Sequence, residues 1–263
     1  MRHINILFDG IVLAIQFLTI LPLKKNVEWD ERRASASVAA YPLVGLILGA
    51  CLALQGYLLL QYSPMSPLII ALYVLSFSLL FSGGLHVDGW ADFCDAVFSR
   101  RERARKLEIM KDPRLGTFGA LGVLFLLGWR FAFIWELVQA GSGPFLFGLF
   151  LIPVIMRLLL GWQLLLGQFA RQEGMAAALR PAQNRTVMIT YIVWSLLTVA
   201  LIVIIYPPFL ILFGGAALFL AIWLKWVRQQ IGGITGDTVG AGGEGGETLL
   251  WAMLWLLALF GMA

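Results

Sequence analysis

Three aspartates that could bind a divalent cation follow one another at helical spacing in the first half of the chain. The segment reads His-Val-Asp-Gly-Trp-Ala-Asp-Phe-Cys-Asp, so its carboxylates belong to Asp88, Asp92 and Asp95. This i, i+4, i+7 spacing puts them on one face of a helix, where like charges repel unless a cation offsets them. Mg²⁺ prefers a few carboxylates together with substrate phosphate oxygens. The segment therefore predicts a magnesium site; the alternative is that the acids only solvate a helix end.

A second acidic cluster lies near the end of the chain, in a stretch rich in glycine. If residues 232–247 are helical, Asp237, Glu244 and Glu247 share one face of that helix. Glycine costs about 1 kcal/mol per helical position relative to alanine, so we expect close approach by a ligand or a neighbouring helix to compensate. We predict that these acids and the first cluster surround one magnesium site, although flexible glycine-rich linkers also contain acids.

A basic segment, residues 100–114, lies between the two clusters. Its last cations, Lys111 and Arg114, adjoin Gly116, where a helix start would expose backbone N–H groups to an anion. Guanidinium groups also match the geometry of phosphate oxygens. We predict that Lys111, Arg114 and Gly116 bind substrate phosphate; the alternative for the basic segment is attraction to anionic lipid.

A few ionisable residues lie inside apolar runs, where charge is costly. Arg130, Glu136 and Arg157 are of this kind, and such groups usually face a bundle interior or a water-filled cavity. Arg157 lies in the middle of its run, so we predict that it meets an anionic substrate, with a buried ion pair or a snorkelling side chain as the alternative. His86, two residues before Asp88, is a candidate metal ligand or general base, unless it only caps a helix.

The elements that must position these residues are membrane-spanning helices. The 263 residues are 60% hydrophobic and 13% charged, whereas about one quarter of a soluble domain is charged. Apolar runs recur along the chain, and about 20 apolar residues suffice to cross a bilayer as a helix. We predict an all-α, polytopic bundle of seven or eight spans that forms a single catalytic domain over residues 1–263. The candidate spans are residues 7–23, 38–60, 68–85, 118–138, 145–168, 187–206, 209–227 and 248–262.

Lys and Arg are concentrated in alternate loops. The loops at residues 61–67, 139–144 and 207–208 contain neither, so the positive-inside rule places the other loops in the cytoplasm. The loops assigned to the cytoplasm also hold every acidic residue except Asp9 and Glu136. The predicted active site therefore lies at the cytoplasmic face, an asymmetry that favours catalysis at the membrane surface over transport. Topology explains the basic patches, so we expect a lipid bilayer and no nucleic acid as partner.

Several segments resemble the cobalamin synthases of bacteria and archaea, the adenosylcobinamide-GDP ribazoletransferase family. The most specific are His-x-Asp-Gly-x-Ala-Asp-x-x-Asp at residues 86–95 and Gly-Asp-x-x-Gly-Ala-x-x-Glu-x-x-Glu at residues 236–247. Shorter similar segments lie at residues 17–22, 41–45 and 107–119. The resemblance therefore extends over most of the chain.

The resemblance implies a multi-pass transferase of the bacterial inner membrane. Its substrates would be adenosylcobinamide-GDP and α-ribazole or its 5′-phosphate, and its products would be GMP and adenosylcobalamin or its 5′-phosphate. Mg²⁺ would be the cofactor, and Lys111, Arg114 or Arg157 would steady the transferring phosphoryl group. Asp95 is our first candidate for the base that deprotonates the acceptor hydroxyl, and His86 is the second. The phosphorylation state of the acceptor and a homo-oligomeric assembly stay open.

Two other functions share some of these features. A CDP-alcohol phosphatidyltransferase of lipid synthesis also uses an Asp-Gly-x-x-Ala helix, but this chain lacks the arginine after that alanine and the later glycine and aspartate spacing. A cation-coupled membrane transporter would need charged residues near mid-membrane with access from both faces. The acids of this chain lie instead at one end of the predicted spans.

Overall fold

The structure is a computed structural model that describes residues 2–141 and 143–262. In these residues the chain is helical, and one isolated parallel bridge between Phe169 and Ile234 takes the place of any sheet. The predicted all-α class is confirmed. The helices are α1 (Arg2–Leu18), α2 (Glu31–Ala39), α3 (Tyr41–Tyr62), α4 (Pro67–Phe81), α5 (Leu85–Phe98), α6 (Arg103–Ile109), α7 (Thr117–Ala140), α8 (Gly143–Leu166), α9 (Met175–Ala178), α10 (Arg185–Ile205), α11 (Leu210–Ile231) and α12 (Gly236–Leu259), with short 3-10 turns at Arg180–Ala182 and Pro207–Phe209.

Polar side chains define the starts of the helices that matter most for the site. The carboxylate of Asp30 accepts the backbone N–H of Arg33 at 2.8 Å and begins α2. At the start of α12, the hydroxyl of Thr235 accepts the backbone N–H of Thr238 at 3.3 Å, and the hydroxyl of Thr238 accepts the backbone N–H of Thr235 at 2.8 Å. This reciprocal cap fixes where α12 begins. Asp237 thus lies in the first turn, where the helix dipole favours a negative charge.

Within the described residues, five helical stretches could cross a membrane by length and composition, or six if α4 and α5, which meet at 89°, form one broken span. This criterion finds fewer stretches than the seven or eight predicted spans, and the exact number of crossings stays a prediction. α1 has only 17 residues, and α12 begins with many glycines and three acids, which lower its hydropathy. The five stretches are Glu31–Tyr62, Thr117–Ala140, Gly143–Leu166, Arg185–Ile205 and Pro207–Ile231.

Helix α8 lies at the centre of the molecule, with α3, α10, α11 and α12 packed around it. Its side chains are buried without interruption over residues 151–161, as expected for a helix that is apolar on all sides. The outer helices α10 and α11 instead expose large apolar side chains such as Leu196, Ile204 and Leu218. An apolar outer surface around a packed interior fits a polytopic chain whose outer solvent is lipid.

Candidate functional site

The first acidic segment forms α5, which packs directly against the start of α12. A Cβ atom on Gly89 would lie 2.7 Å from the backbone oxygen of Asp237, and one on Gly240 would lie 3.1 Å from the Cα atom of His86. Backbones approach this closely only where a side chain is missing. The expectation that glycines of the second cluster serve a close approach is confirmed, and a neighbouring helix is what approaches. The contact places the start of α12 beside the acidic helix α5.

The start of α12 is also tied to the segment that follows α8. The backbone N–H of Ala170 donates to the carbonyl of Ile234 at 2.9 Å, and the N–H of Ile234 donates to the carbonyl of Gln168 at 2.7 Å. This bridge brings Arg171 within electrostatic reach of Asp237. No spacing pattern in the sequence marks Arg171, because its position depends on a pairing between distant parts of the chain.

A cleft with two lobes opens beside the contact between α5 and α12. The first, which we call the apolar lobe, is partly open to solvent; His86, Asp88 and Asp237 are among the residues that line it. The second, the charged lobe, is lined by Arg171, Glu173 and again Asp237. Asp237 therefore lies at the boundary of the two lobes. The rest of the apolar lobe includes Phe17, Leu18, Tyr41, Leu160, Leu164 and Leu179.

Asp88 and Asp237 line the cleft, and Asp92 lies within electrostatic reach of both although it lines neither lobe; we call these three acids the carboxylate cluster. Asp92 lies one turn after Asp88 on α5 and within electrostatic reach of Asp237 and Asp95. In the described part of the chain, no three acidic, histidine or cysteine side chains close into a ready metal shell. The donors nevertheless fit Mg²⁺, because this ion takes one or two carboxylates and completes its coordination with water and substrate phosphate. The magnesium site itself stays a prediction.

Asp95 binds the start of α7. Its Oδ2 accepts the backbone N–H of Gly116 at 2.7 Å, and its Oδ1 accepts that of Gly119 at 2.8 Å. The sequence predicts that an anion binds at this helix start, and in the structure that anion is the carboxylate of Asp95. The N–H of Gly116 is therefore occupied, which leaves its predicted contact with substrate phosphate without support. The assignment of Asp95 as metal ligand and base stays a prediction. Neither Asp95 nor Gly116 lines the cleft.

Glu244 and Glu247 lie away from the carboxylate cluster. Since α12 is one continuous helix, Glu244 follows Asp237 by seven residues, or about 10 Å along the axis. The guanidinium of Arg130 lies 2.7 Å from a carboxylate oxygen of Glu244 and 3.5 Å from one of Glu247. It also donates to the hydroxyl of Thr248 at 3.0 Å. Both glutamates already pair with the buried Arg130, so the prediction that they join Asp237 around the metal has no support from this geometry and stays a prediction.

Arg157 does not reach the cleft either. Its side chain is buried at 2% exposure in α8, and it lies within electrostatic reach of His86, Glu244 and Glu247. Its Nε has no hydrogen-bond partner among the described residues. Among the described residues no ion pair within 4 Å joins Arg157 to the glutamates of α12, so its contact with an anionic substrate stays a prediction.

Lys111 and Arg114 are exposed on the segment between α6 and α7, outside the lining of both lobes. The guanidinium of Arg114 donates to both carboxylate oxygens of Asp112, at 2.9 and 2.6 Å. These hydrogen bonds, with that of the Arg114 backbone, lower the pKa of Asp112 to about 2, so the pair is ionised at neutral pH. Phosphate binding by Lys111 and Arg114 stays a prediction, and Arg171 is the cation that lines the cleft.

His86 lines the cleft, unlike the other predicted catalytic residue, Asp95. The imidazole is 5% exposed, and its Nδ1 has no hydrogen-bond partner within residues 2–141 and 143–262. Leaving a buried polar atom without a partner costs about 1–3 kcal/mol, which a bound ligand would recover. His86 therefore lies in the cleft with an unpaired ring nitrogen, and its role as metal ligand or general base stays a prediction.

Comparison with known proteins identifies the family. Residues 10–255 match the family model described as cobalamin-5-phosphate synthase. The protein named adenosylcobinamide-GDP ribazoletransferase from Halalkalibacterium halodurans is 40% identical, over 95% of this chain and 97% of its own. Proteins of the same name from Geobacillus sp. and Clostridioides difficile are 38% and 32% identical, covering 97% and 94% of this chain and 98% and 96% of theirs. No solved structure matches the chain. The chain therefore belongs to the cobalamin-5-phosphate synthase family and is a membrane-embedded transferase of cobalamin biosynthesis.

Proposed function

We propose that this protein transfers the adenosylcobinamide-phosphate group of adenosylcobinamide-GDP to a hydroxyl of α-ribazole or α-ribazole 5′-phosphate, with release of GMP. The names of its relatives give the two substrates. The observation that carries the proposal for this chain is the cleft in which Asp88 and Asp237 meet beside Arg171. Carboxylates for a divalent cation and a guanidinium for phosphate are what transfer from a diphosphate needs.

In the proposed reaction the acceptor oxygen forms a bond to the phosphorus next to cobinamide, and the bond from that phosphorus to GMP breaks. The proton of the acceptor hydroxyl passes to His86, which lines the cleft. Arg171 binds the diphosphate oxygens and steadies the departing phosphate. Asp88, Asp92 and Asp237 would hold Mg²⁺, which supplies charge neutralisation at the diphosphate. Asp95 holds α7 against α5 and thereby positions the cluster.

We place the cleft at the cytoplasmic face of the inner membrane. The support is the distribution of Lys and Arg, which are absent from the loops on the opposite side. Both substrates are polar on their reacting side, so they would reach a cleft that opens to the cytoplasm without crossing the bilayer.

The test is turnover by purified protein in lipid nanodiscs. We expect adenosylcobinamide-GDP and α-ribazole to give GMP and a ribazole-containing corrinoid in equal amounts. EDTA should abolish both products, and Mg²⁺ should restore them. Parallel reactions with α-ribazole 5′-phosphate identify the preferred acceptor. Release of CMP from CDP-diacylglycerol would point instead to a lipid-synthesis enzyme, and GMP release that does not depend on the acceptor would point to a hydrolase.

A further inference from the structure

Two residues that line the apolar lobe each carry a buried polar atom without a hydrogen-bond partner among the described residues. The hydroxyl of Tyr41 and the Nδ1 of His86 belong to side chains that are 1% and 5% exposed, and neither has a hydrogen-bond partner among the described residues. Both residues line the apolar lobe. Buried polar groups in folded proteins are nearly always hydrogen-bonded. Two unpaired polar atoms in the wall of one cavity therefore indicate that a bound ligand forms the missing hydrogen bonds.

The side chain of Tyr41 is fixed by packing, so mobility of the side chain does not explain why its hydroxyl is unpaired. Its ring lies parallel to that of Phe17, with centroids 6.4 Å apart, and it begins α3 directly before Pro42. Tyr191 is a useful contrast. It is just as buried, but its hydroxyl donates to the carbonyl of Val38 at 2.8 Å. The hydroxyl of one buried tyrosine is therefore paired, whereas that of Tyr41, a residue of the cavity wall, has no partner within the described residues.

The walls of the apolar lobe restrict what the ligand can be. Phe17, Leu160 and Leu164 offer apolar contact, whereas Asp88 and Asp237 lie at the side where the lobe meets the charged lobe. A ligand that fits has a flat apolar body with a hydrogen-bonding atom and a polar end that reaches the carboxylates.

We propose, on the basis of the function proposed above, that the apolar lobe binds the benzimidazole base of the ribazole acceptor and that Tyr41 determines specificity for it. One ring nitrogen of this nucleoside is bonded to ribose, and the other is a free acceptor. The Tyr41 hydroxyl donates to that free nitrogen. The ribose then extends toward His86 and Asp88, and the charged lobe is left for the diphosphate of the donor, beside Arg171.

The first test removes one oxygen atom from the lobe. Tyr41→Phe should raise the KM for α-ribazole about tenfold, the loss of one good hydrogen bond, and should leave the KM for adenosylcobinamide-GDP within about twofold. Wild-type protein should discriminate by the same factor against the indole analogue of α-ribazole, in which carbon replaces the free ring nitrogen, and Tyr41→Phe should not discriminate at all. Tyr191→Phe is the matched control, which should lower thermal stability without changing the KM for α-ribazole.

Other outcomes of this test overturn the assignment. An unchanged KM for α-ribazole in Tyr41→Phe would do so, as would a rise confined to the KM for adenosylcobinamide-GDP. Equal discrimination against the indole analogue by both proteins would show that Tyr41 does not contact the ring nitrogen.

A second variant separates this proposal from the proposed function. Leu164→Trp fills the apolar lobe, so it should weaken binding of 5,6-dimethylbenzimidazole, followed by tryptophan fluorescence, at least about tenfold. If wild-type protein transfers nothing to α-ribazole, the proposed function fails. If wild-type protein does transfer but Leu164→Trp binds the base as tightly, only the lobe assignment fails. Phospholipid that co-purifies with wild-type protein and not with Leu164→Trp would show that an acyl chain occupies the lobe and would also overturn it.

Discussion

At the scale of single residues, the carboxylates of α5 and α12 do different work although they share a spacing pattern. Asp88 and Asp237 line the cleft, Asp95 caps α7, and Glu244 pairs with Arg130. The surroundings of each acid, and not its position in the pattern, separate a candidate metal ligand from a cap and from an ion-pair partner. The substitutions that test these roles therefore predict different losses.

Asp92→Asn should lower the rate of GMP release at least about 100-fold, since it removes one charge from the cluster that would hold the cation. The protein should still insert into membranes and keep its thermal stability, because an amide has nearly the same shape. The rate is measured by GMP release at saturating substrates. Glu136→Gln is the control, an exposed acid near the other end of α7; a similar loss in it, or full activity in Asp92→Asn, contradicts the assignment.

Substitution of His86 and of Asp95 should have different effects, on the reaction rate in the first case and on stability in the second. His86→Phe should reduce the rate about 10²- to 10⁴-fold, the usual contribution of a general base, with little change in melting temperature. Asp95→Asn should lose about 1–2 kcal/mol of stability, because only one of its two acceptor oxygens remains to cap α7. Rates and thermal melts are recorded on the same samples. The reverse result, a stable and inactive Asp95→Asn beside an active His86→Phe, restores Asp95 as the base.

At the scale of elements, the site depends on how closely α5 and α12 approach. Gly89→Ala places a methyl group where only 2.7 Å separates it from the backbone oxygen of Asp237, so the helices must move apart. We expect a loss of about 1–3 kcal/mol in stability and a clear rise in the Mg²⁺ concentration needed for turnover. Gly128→Ala on α7, which meets no atom within 4 Å, is the matched control and should be neutral or slightly stabilising. Equal behaviour of the two variants would show that the close approach has no bearing on the site.

The sequence predicted those features that depend on spacing within one element. The i, i+4 spacing of Asp88 and Asp92 placed them on one helix face, and the glycines around Gly240 indicated a close neighbour. It could not say which neighbour each face meets. Arg130 contacts Glu244 across 114 positions of sequence, and this long-range contact decides that the glutamates are neutralised inside the bundle. Arg171 was missed for the same reason, since a bridge between two loops brings it to the cleft.

At the scale of the whole molecule, buried charges join α7 to α12 while α8 contributes a further arginine. Arg130 is 1% exposed and Glu244 3%, in a bundle with few other buried charges to replace them. Breaking such a pair leaves one charge unpaired in an apolar interior, which typically costs about 3–5 kcal/mol. The ion pair therefore stabilises the packing of the bundle. Its loss should lower the free energy of unfolding more than it changes the turnover rate.

Arg130→Met should therefore lower stability by about 3 kcal/mol or more, whereas the double variant Arg130→Met, Glu244→Gln should recover much of that loss, because Glu247 stays as counter-charge for Arg157. Unfolding in detergent, followed by tryptophan fluorescence, provides the measurement. The recovered variant should also keep measurable turnover and the wild-type dependence on Mg²⁺. A stable double variant that no longer responds to Mg²⁺ would return Glu244 to the metal site.

We propose that Asp88, Asp92 and Asp237, from two helices, hold one divalent cation that Glu244 and Glu247 do not coordinate. The most direct test of this proposal is an electron paramagnetic resonance titration of Mn²⁺, as a substitute for Mg²⁺, into purified protein with bound adenosylcobinamide-GDP. We predict that Asp237→Asn raises the Kd for Mn²⁺ at least about tenfold, whereas Glu244→Gln changes it less than about twofold. Unchanged Mn²⁺ binding in Asp237→Asn, or a larger loss in Glu244→Gln, would contradict the account.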